Sequence, residues 1–83
     1  MVPVAKLLIV AASGSQDPTR ASIPFHVAVN GAAAAGIEVG VALAGDATEL
    51  LKREVGDSVR GVGVPPLGDL LAGCRDKGVK VYV

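Results

Sequence analysis

Lys6-Leu7-Leu8-Ile9-Val10, followed by Ser13-Gly14-Ser15-Gln16-Asp17-Pro18, decides the fold class of this 83-residue chain. Leu7 to Val10 is apolar at every position, so a strand built from it is expected to bury both faces. Continuous runs of this kind belong to parallel sheets covered by helices, whereas half-exposed strands alternate. The predicted first strand spans Val2 to Ala12. The polar hexapeptide then breaks the pattern and reads as a loop. Asp17 before Pro18 starts a helix: a carboxylate caps the free N–H groups, and proline at the first helical position lacks only an N–H that has no partner there.

Working outward, this helix is predicted to reach Ala35, with Gly36 as its left-handed cap and Pro24 as an internal kink or a delayed start. Ala28, Ala32 and Gly36 recur every four residues, as do Gly31 and Ala35, which predicts a smooth face for close packing. Ile37, Val39, Val41 and Leu43 alternate as a second strand. Asp46 and Glu49 have capping-box spacing ahead of a short helix through Leu50, Leu51 and Val55 that stops at Gly56. Asp57 to Val64 reads either as loop or as a short edge strand. Leu67, Leu70, Leu71 and Cys74 share one helical face, Gly78 stops that helix, and Val79 to Val83 is a closing strand. Strands alternating with helices predict parallel strands joined by right-handed crossovers. The expected fold is α/β, a three-layer α/β/α sandwich with a mainly parallel sheet, in one domain over residues 1–83. Because Val83 still lies inside an apolar strand, the natural chain is expected to continue past it, which leaves the domain incomplete at its C-terminus.

Composition narrows the function classes. Eight Lys plus Arg balance eight Asp plus Glu, and the signs are interspersed, so the basic stripe that a phosphate backbone requires is missing. One Tyr and one Phe make no platform for stacking bases, and nucleic acid is not an expected partner. The longest uncharged stretch, Ala21 to Ile37, is broken by Pro24, His26, Asn30 and Gly31 and is too short to span a bilayer. The first residues lack the charged lead-in of a signal peptide, and a single Cys forms no internal disulfide. A cytoplasmic protein is expected. Thirteen Ala and fourteen Val make up about a third of the chain, so the core is expected to be built from small, closely approaching pieces.

Few residues are equipped for chemistry. The loop and helix start at Ser13, Gly14, Ser15, Asp17, Thr19 and Arg20 form the candidate ligand-binding site, because ligands of open α/β sheets sit beyond the carboxyl ends of the strands, where helix N-termini offer free N–H groups. The segment has neither Gly-x-Gly-x-x-Gly nor a Walker motif. A small-anion site and an ordinary capped turn are both open readings. Cys74, on the Leu67–Leu70–Leu71 face, reads as a small core residue, although Arg75 and Lys77 would lower its pKa at an exposed helix end. His26 stands alone, without Cys or acid at ligand spacing, so neither a metal nor a cofactor is expected. Asp46 and Glu49 are accounted for as the capping box. No catalytic residue is assigned.

The ordered segments resemble the DsrE/DsrF-like family of small sulfur-relay proteins. The resemblance is carried by Lys6–Val10, Ser13–Pro18, Ile23-Pro24-Phe25-His26-Val27-Ala28, Gly36–Leu43 and Ala44-Gly45-Asp46-Ala47 with Leu50-Leu51-Lys52. Above all it rests on Val64-Pro65-Pro66-Leu67-Gly68-Asp69-Leu70-Leu71 running to Gly78–Val83. It implies an α/β sandwich assembled as a homo-oligomer (dimer, trimer or hexamer), sulfur-relay protein partners, and a persulfide-carrying cysteine after the strand equivalent to Val79–Val83. That cysteine has no counterpart here, and Cys74, on the preceding helix, does not match its position. The expectation is a protein of sulfur (persulfide) relay, or derived from one. Its alternatives are a non-catalytic module binding a small anion at Ser13–Arg20 and a structural oligomer subunit.

Overall fold

The computed structural model of the chain describes residues 6–83. Strands β1 (Lys6–Ala11), β2 (Glu38–Leu43) and β3 (Lys80–Tyr82) form one parallel sheet in the order β1-β2-β3. Leu8 lies beside Gly40 and Val10 beside Ala42, and Gly40 and Ala42 in turn lie beside Lys80 and Tyr82. Of the strand predicted over Val2–Ala12, the first four residues fall outside the described residues and Ala12 follows β1.

Successive side chains of a strand point to opposite faces, and the two faces of this sheet differ sharply. Ala11, Val39, Val41 and Leu43 are buried with Phe25, Val29, Leu67 and Leu70 in one core. Leu8, Val10 and Tyr82, on the other face, are 60%, 65% and 51% exposed. The α/β class and parallel pairing are as the alternation predicts. Of the three expected layers, the sheet and one helical layer are found among the described residues. The strand order explains this: two right-handed crossovers that step in the same direction both pass over the same face. Among the described residues the apolar run Leu7–Val10 is therefore covered from one side only.

Helix α1 (Pro18–His26) begins at the predicted cap, where Asp17 Oδ1 accepts the Arg20 N–H at 3.1 Å. Pro24 neither ends the helix nor delays its start. It has no N–H to give the Arg20 carbonyl, and its ring crowds the preceding turn. Beyond it the helix widens into a π segment over Val27–Ala32, tightens to 3-10 over Ala33–Ala35, and stops at Gly36 with φ 80°. Prolines and π turns are the usual sites where a helix loses its regular ladder. Ser22, the buried polar side chain of α1, donates its hydroxyl to the Pro18 carbonyl at 2.8 Å. Ala28 and Ala32 of the small-residue pattern face the core, while Gly31, Ala35 and Gly36 face solvent.

Gly45–Leu51 forms 3-10 turns rather than a capped α-helix, followed by a single helical turn, α2 (Arg53–Gly56). The segment from Asp57 to Val64 is loop, not edge strand. It is pinned by buried Val59, whose carbonyl accepts the Leu67 N–H at 3.1 Å. A Cβ on Gly61 would come within 2.9 Å of the Thr19 Cα, so glycine is what lets this loop lie against the start of α1. Helix α3 (Leu67–Lys77) buries Leu67, Leu70 and Cys74 and ends at Gly78 with φ 71°, as its spacing predicts.

Candidate functional site

Because the strands are parallel, the carboxyl ends of β1, β2 and β3 share one edge of the sheet. The Ser13–Asp17 loop leaves β1 there, and the Gly45–Leu51 turns leave β2 beside it. Two side-chain bridges join them. Glu49 Oε1 accepts both the Ser15 backbone N–H at 2.7 Å and the Ser15 hydroxyl at 2.6 Å. Asp46 Oδ2 accepts from Gln16 Nε2 at 2.9 Å. Gly14 is buried beneath both bridges; a Cβ there would stand 2.6 Å from Glu49 Oε1 and 2.7 Å from the Asp46 carbonyl. No other residue fits without opening the junction.

The predicted site residues are thus neighbours in space with separate tasks. Asp17 caps α1, and its Oδ2 lies 3.6 Å from Arg20 Nε on a pair that is largely exposed. Thr19 Oγ1 accepts the Val62 N–H at 3.0 Å and so holds the Asp57–Val64 loop. Ser13 is half-buried. Ser15 offers the two donors that an anion would use, and a carboxylate of the same chain already occupies them.

Asp46 and Glu49 correct the capping-box reading. Neither carboxylate makes a capping hydrogen bond at the start of its own turn, and both reach across to the first loop instead. In the 3-10 turn, Thr48 Oγ1 bonds the Gly45 carbonyl at 2.9 Å, and the two acids emerge on the side facing Ser15 and Gln16. The sequence signal for this was indirect: loops after adjacent parallel strands must be neighbours. The Ser15 hydroxyl and then the Ser15 N–H hold the Glu49 carboxyl below its ordinary 4.5, with Lys52 assisting and slight burial opposing. Hydrogen bonds to the charged form favour it.

Cys74 sits in the core as its spacing predicts, 3% exposed. Burial pushes its thiol above the ordinary 9.0. The nearby cations do not offset this: Arg75 lies 3.8 Å from Asp76 at the surface, and Lys77 Nζ reaches the Val29 carbonyl at 3.4 Å. His26 Nδ1 lies 3.0 Å from Asn30 Nδ2, one helical turn on. Among the described residues no group of three or more His, Cys, Asp or Glu is placed to hold a metal ion, and no helix is long and apolar enough to cross a membrane.

The family model described as the DsrE/DsrF-like family matches residues 5–83. Comparison with curated proteins and with solved structures gives no match.

Proposed function

Because the chain belongs to the DsrE/DsrF-like family, we propose that it works in sulfur (persulfide) relay, as a cytoplasmic homo-oligomer (dimer, trimer or hexamer) exchanging sulfur with relay partners. The family match over nearly the whole chain is the observation that carries this reading. Relay chemistry is a thiol exchange: a thiolate attacks the outer sulfur of a donor persulfide, the donor S–S bond breaks, the donor leaves as its own thiolate, and the acceptor becomes the persulfide. The nucleophile is the thiolate, and low thiol pKa values are found in electropositive, partly exposed places such as helix N-termini. Cys74 has the opposite surroundings, so it is not the proposed carrier. The carboxyl ends of the strands, where ligands of open α/β sheets usually sit, suit the exchange better. The family position for the carrier thiol follows the third strand at that edge, two strands or about 10 Å from the end of β1. There the Ser13–Asp17 loop and Glu49 would form one wall of the pocket.

The test is intact mass of the full-length protein after treatment with a persulfide donor in the absence of reductant. The expected result is a +32 Da adduct; because Cys74 is the single thiol of these 83 residues, the Cys74→Ser variant tells Cys74 from any carrier outside them. No adduct overturns the relay reading, and an adduct lost in Cys74→Ser overturns the exclusion of Cys74. A second reading, a small-anion module, is favoured by one observation, since the Ser15 N–H and hydroxyl are competent to bind a carboxylate. It predicts that phosphate or sulfate shifts the Ser15 amide resonance in Glu49→Ala and less in the parent protein. A silent titration in both removes it.

A further inference from the structure

We propose that Asn30 is a self-modification site: in the folded protein the Gly31 backbone nitrogen attacks the Asn30 side-chain amide, and position 30 ages to aspartate and isoaspartate. The inference is independent of the sulfur reading. Asn30 is the single Asn of the chain, and Gly31 follows it. Both are exposed, and a Cβ on Gly31 would meet nothing within 4 Å, so no side chain shields the nitrogen and water reaches the amide. Glycine also leaves the attacking backbone free to turn, which a β-carbon would restrict. The only co-reactant is water. A bond forms from the Gly31 nitrogen to Asn30 Cγ as that nitrogen gives up its proton to solvent; the Cγ–Nδ2 bond breaks, and Nδ2 takes a proton and leaves as ammonia. Water then opens the five-membered imide at either carbonyl, giving aspartate or isoaspartate.

An intact helix forbids this attack. Its ladder engages the backbone N–H of each residue, in a π segment with the carbonyl five residues back. Side chains of a helix also point back over the preceding turn, and here Asn30 Nδ2 lies 3.0 Å from His26 Nδ1. The reaction therefore waits for the backbone to open at Asn30, and the surroundings make that opening local. Asn30 lies in the π segment Val27–Ala32, which tightens to 3-10 at Ala33 and ends at Gly36. Such changes of pitch are where helical ladders are interrupted. Asn is a poor helix former, and Gly is the poorest after Pro. Between Asn30 and Gly36 the one buried side chain is Ala32, a single methyl, with Ala33 half-buried, so unwinding this end uncovers little apolar surface. Opposing it are the bonds from the Ala33 N–H to the Ala28 carbonyl and from the Ile37 N–H to the Ala32 carbonyl at 2.9 Å. Segments with few buried contacts open far more often than whole domains unfold. The products differ in effect. Isoaspartate routes the main chain through the side-chain carbon and adds a backbone atom directly after buried Val29, so the ladder cannot resume in register. Aspartate keeps the backbone and sets a carboxylate one turn from His26.

The experiment incubates the full chain at pH 8 and 37 °C beside a peptide of residues 27–34, following intact mass, peptide mapping and isoaspartate content. The folded chain should gain about 1 Da at Asn30, with ammonia released, roughly thirtyfold more slowly than the peptide because opening is partial. Gly31→Ala should slow the gain at least about tenfold, since the β-carbon restricts the attacking backbone. His26→Phe keeps a similar helix propensity and removes the hydrogen bond to Asn30, so it should speed the folded chain about fivefold. Far-UV circular dichroism checks that each variant is folded. A folded chain more than about a thousandfold slower than the peptide is modified only through global unfolding and overturns the proposal. A gain that maps away from Asn30 overturns it too, and His26→Phe no faster than the parent overturns the restraint by His26. A gain of about 1 Da is distinct from the +32 Da adduct, so the two readings fail separately.

Discussion

Phe25 is the one phenylalanine in the chain, and it is fully buried in the core beneath the sheet. Truncating it to alanine tests how rigid a core built from Ala and Val is. Large-to-small substitutions of a buried Phe cost about 3–5 kcal/mol, and the spread reflects how far the surroundings collapse into the hole. Here collapse is restricted. The neighbours within α1 and its continuation include Ala21, Ala28 and Ala32, which have no rotamers to swing inward, and Pro24 stiffens the adjacent turn. The upper half of the range is therefore expected, about 4 kcal/mol. A domain of this size has a total stability of roughly 4–12 kcal/mol, so a third to all of it is at stake. The chain has no Trp, so urea unfolding is best followed by far-UV circular dichroism. With a slope near 1 kcal/mol per M for so small a protein, the midpoint should fall by about 4 M. Phe25→Leu, which keeps most of the volume, should lose only about 1 kcal/mol. A loss below about 1 kcal/mol for Phe25→Ala would refute the reasoning, because it would mean that the small residues close the hole.

Three further outcomes are expected. Gly73→Ala should gain up to about 1 kcal/mol of helix propensity in isolation, but its Cβ would meet Val29 Cγ1 at 2.7 Å. The change should therefore destabilise the parent and stabilise a Val29→Ala background, and a double-mutant cycle without that sign reversal counts against the packing described. The folded-state pKa of Glu49 lies below its ordinary 4.5, so the Ser15 bridge contributes stability that is present above about pH 4.5 and lost as pH falls through the lowered folded value. The Ser15 amide resonance should titrate below pH 4.5, and Glu49→Gln should abolish that step. Cys74 should resist a disulfide reagent in the native protein and react at once in 6 M guanidinium; prompt native labelling would contradict its burial.

Where local chemistry decides structure, the sequence was readable. Asp17-Pro18 starts a helix, Gly36 and Gly78 end two, and the i, i+3, i+7 spacing of Leu67, Leu70 and Cys74 marks the face that α3 buries. What was not readable depends on neighbours distant in sequence. Leu8 and Ile9 look equally apolar, yet only strand order tells which is covered. Asp46 and Glu49 fit a capping box by spacing alone. Their bonds to Gln16 and Ser15 follow from β1 and β2 being adjacent and parallel, which no window of residues around position 46 contains. The residues of the candidate loop were legible as a turn at a strand end. That Ser15 already holds a carboxylate was not, because the carboxylate lies 34 residues away.

The strand order also sets a folding sequence. Pairing β1 with β2 closes 38 − 6 = 32 residues, and pairing β2 with β3 closes 80 − 40 = 40 residues. Loop-closure entropy grows so slowly with length that these differ by only about 0.2 kcal/mol. The reward differs far more, since the first pairing runs over six residues and the second over three. The β1–α1–β2 unit should therefore form first, with β3 docking last and opening first, as the least protected element in native-state hydrogen exchange. In the functional reading above, the strand that leads to the sulfur-carrying position is then the one most easily lifted from the sheet, and thiol access would be governed by local opening at β3 rather than by unfolding of the whole domain.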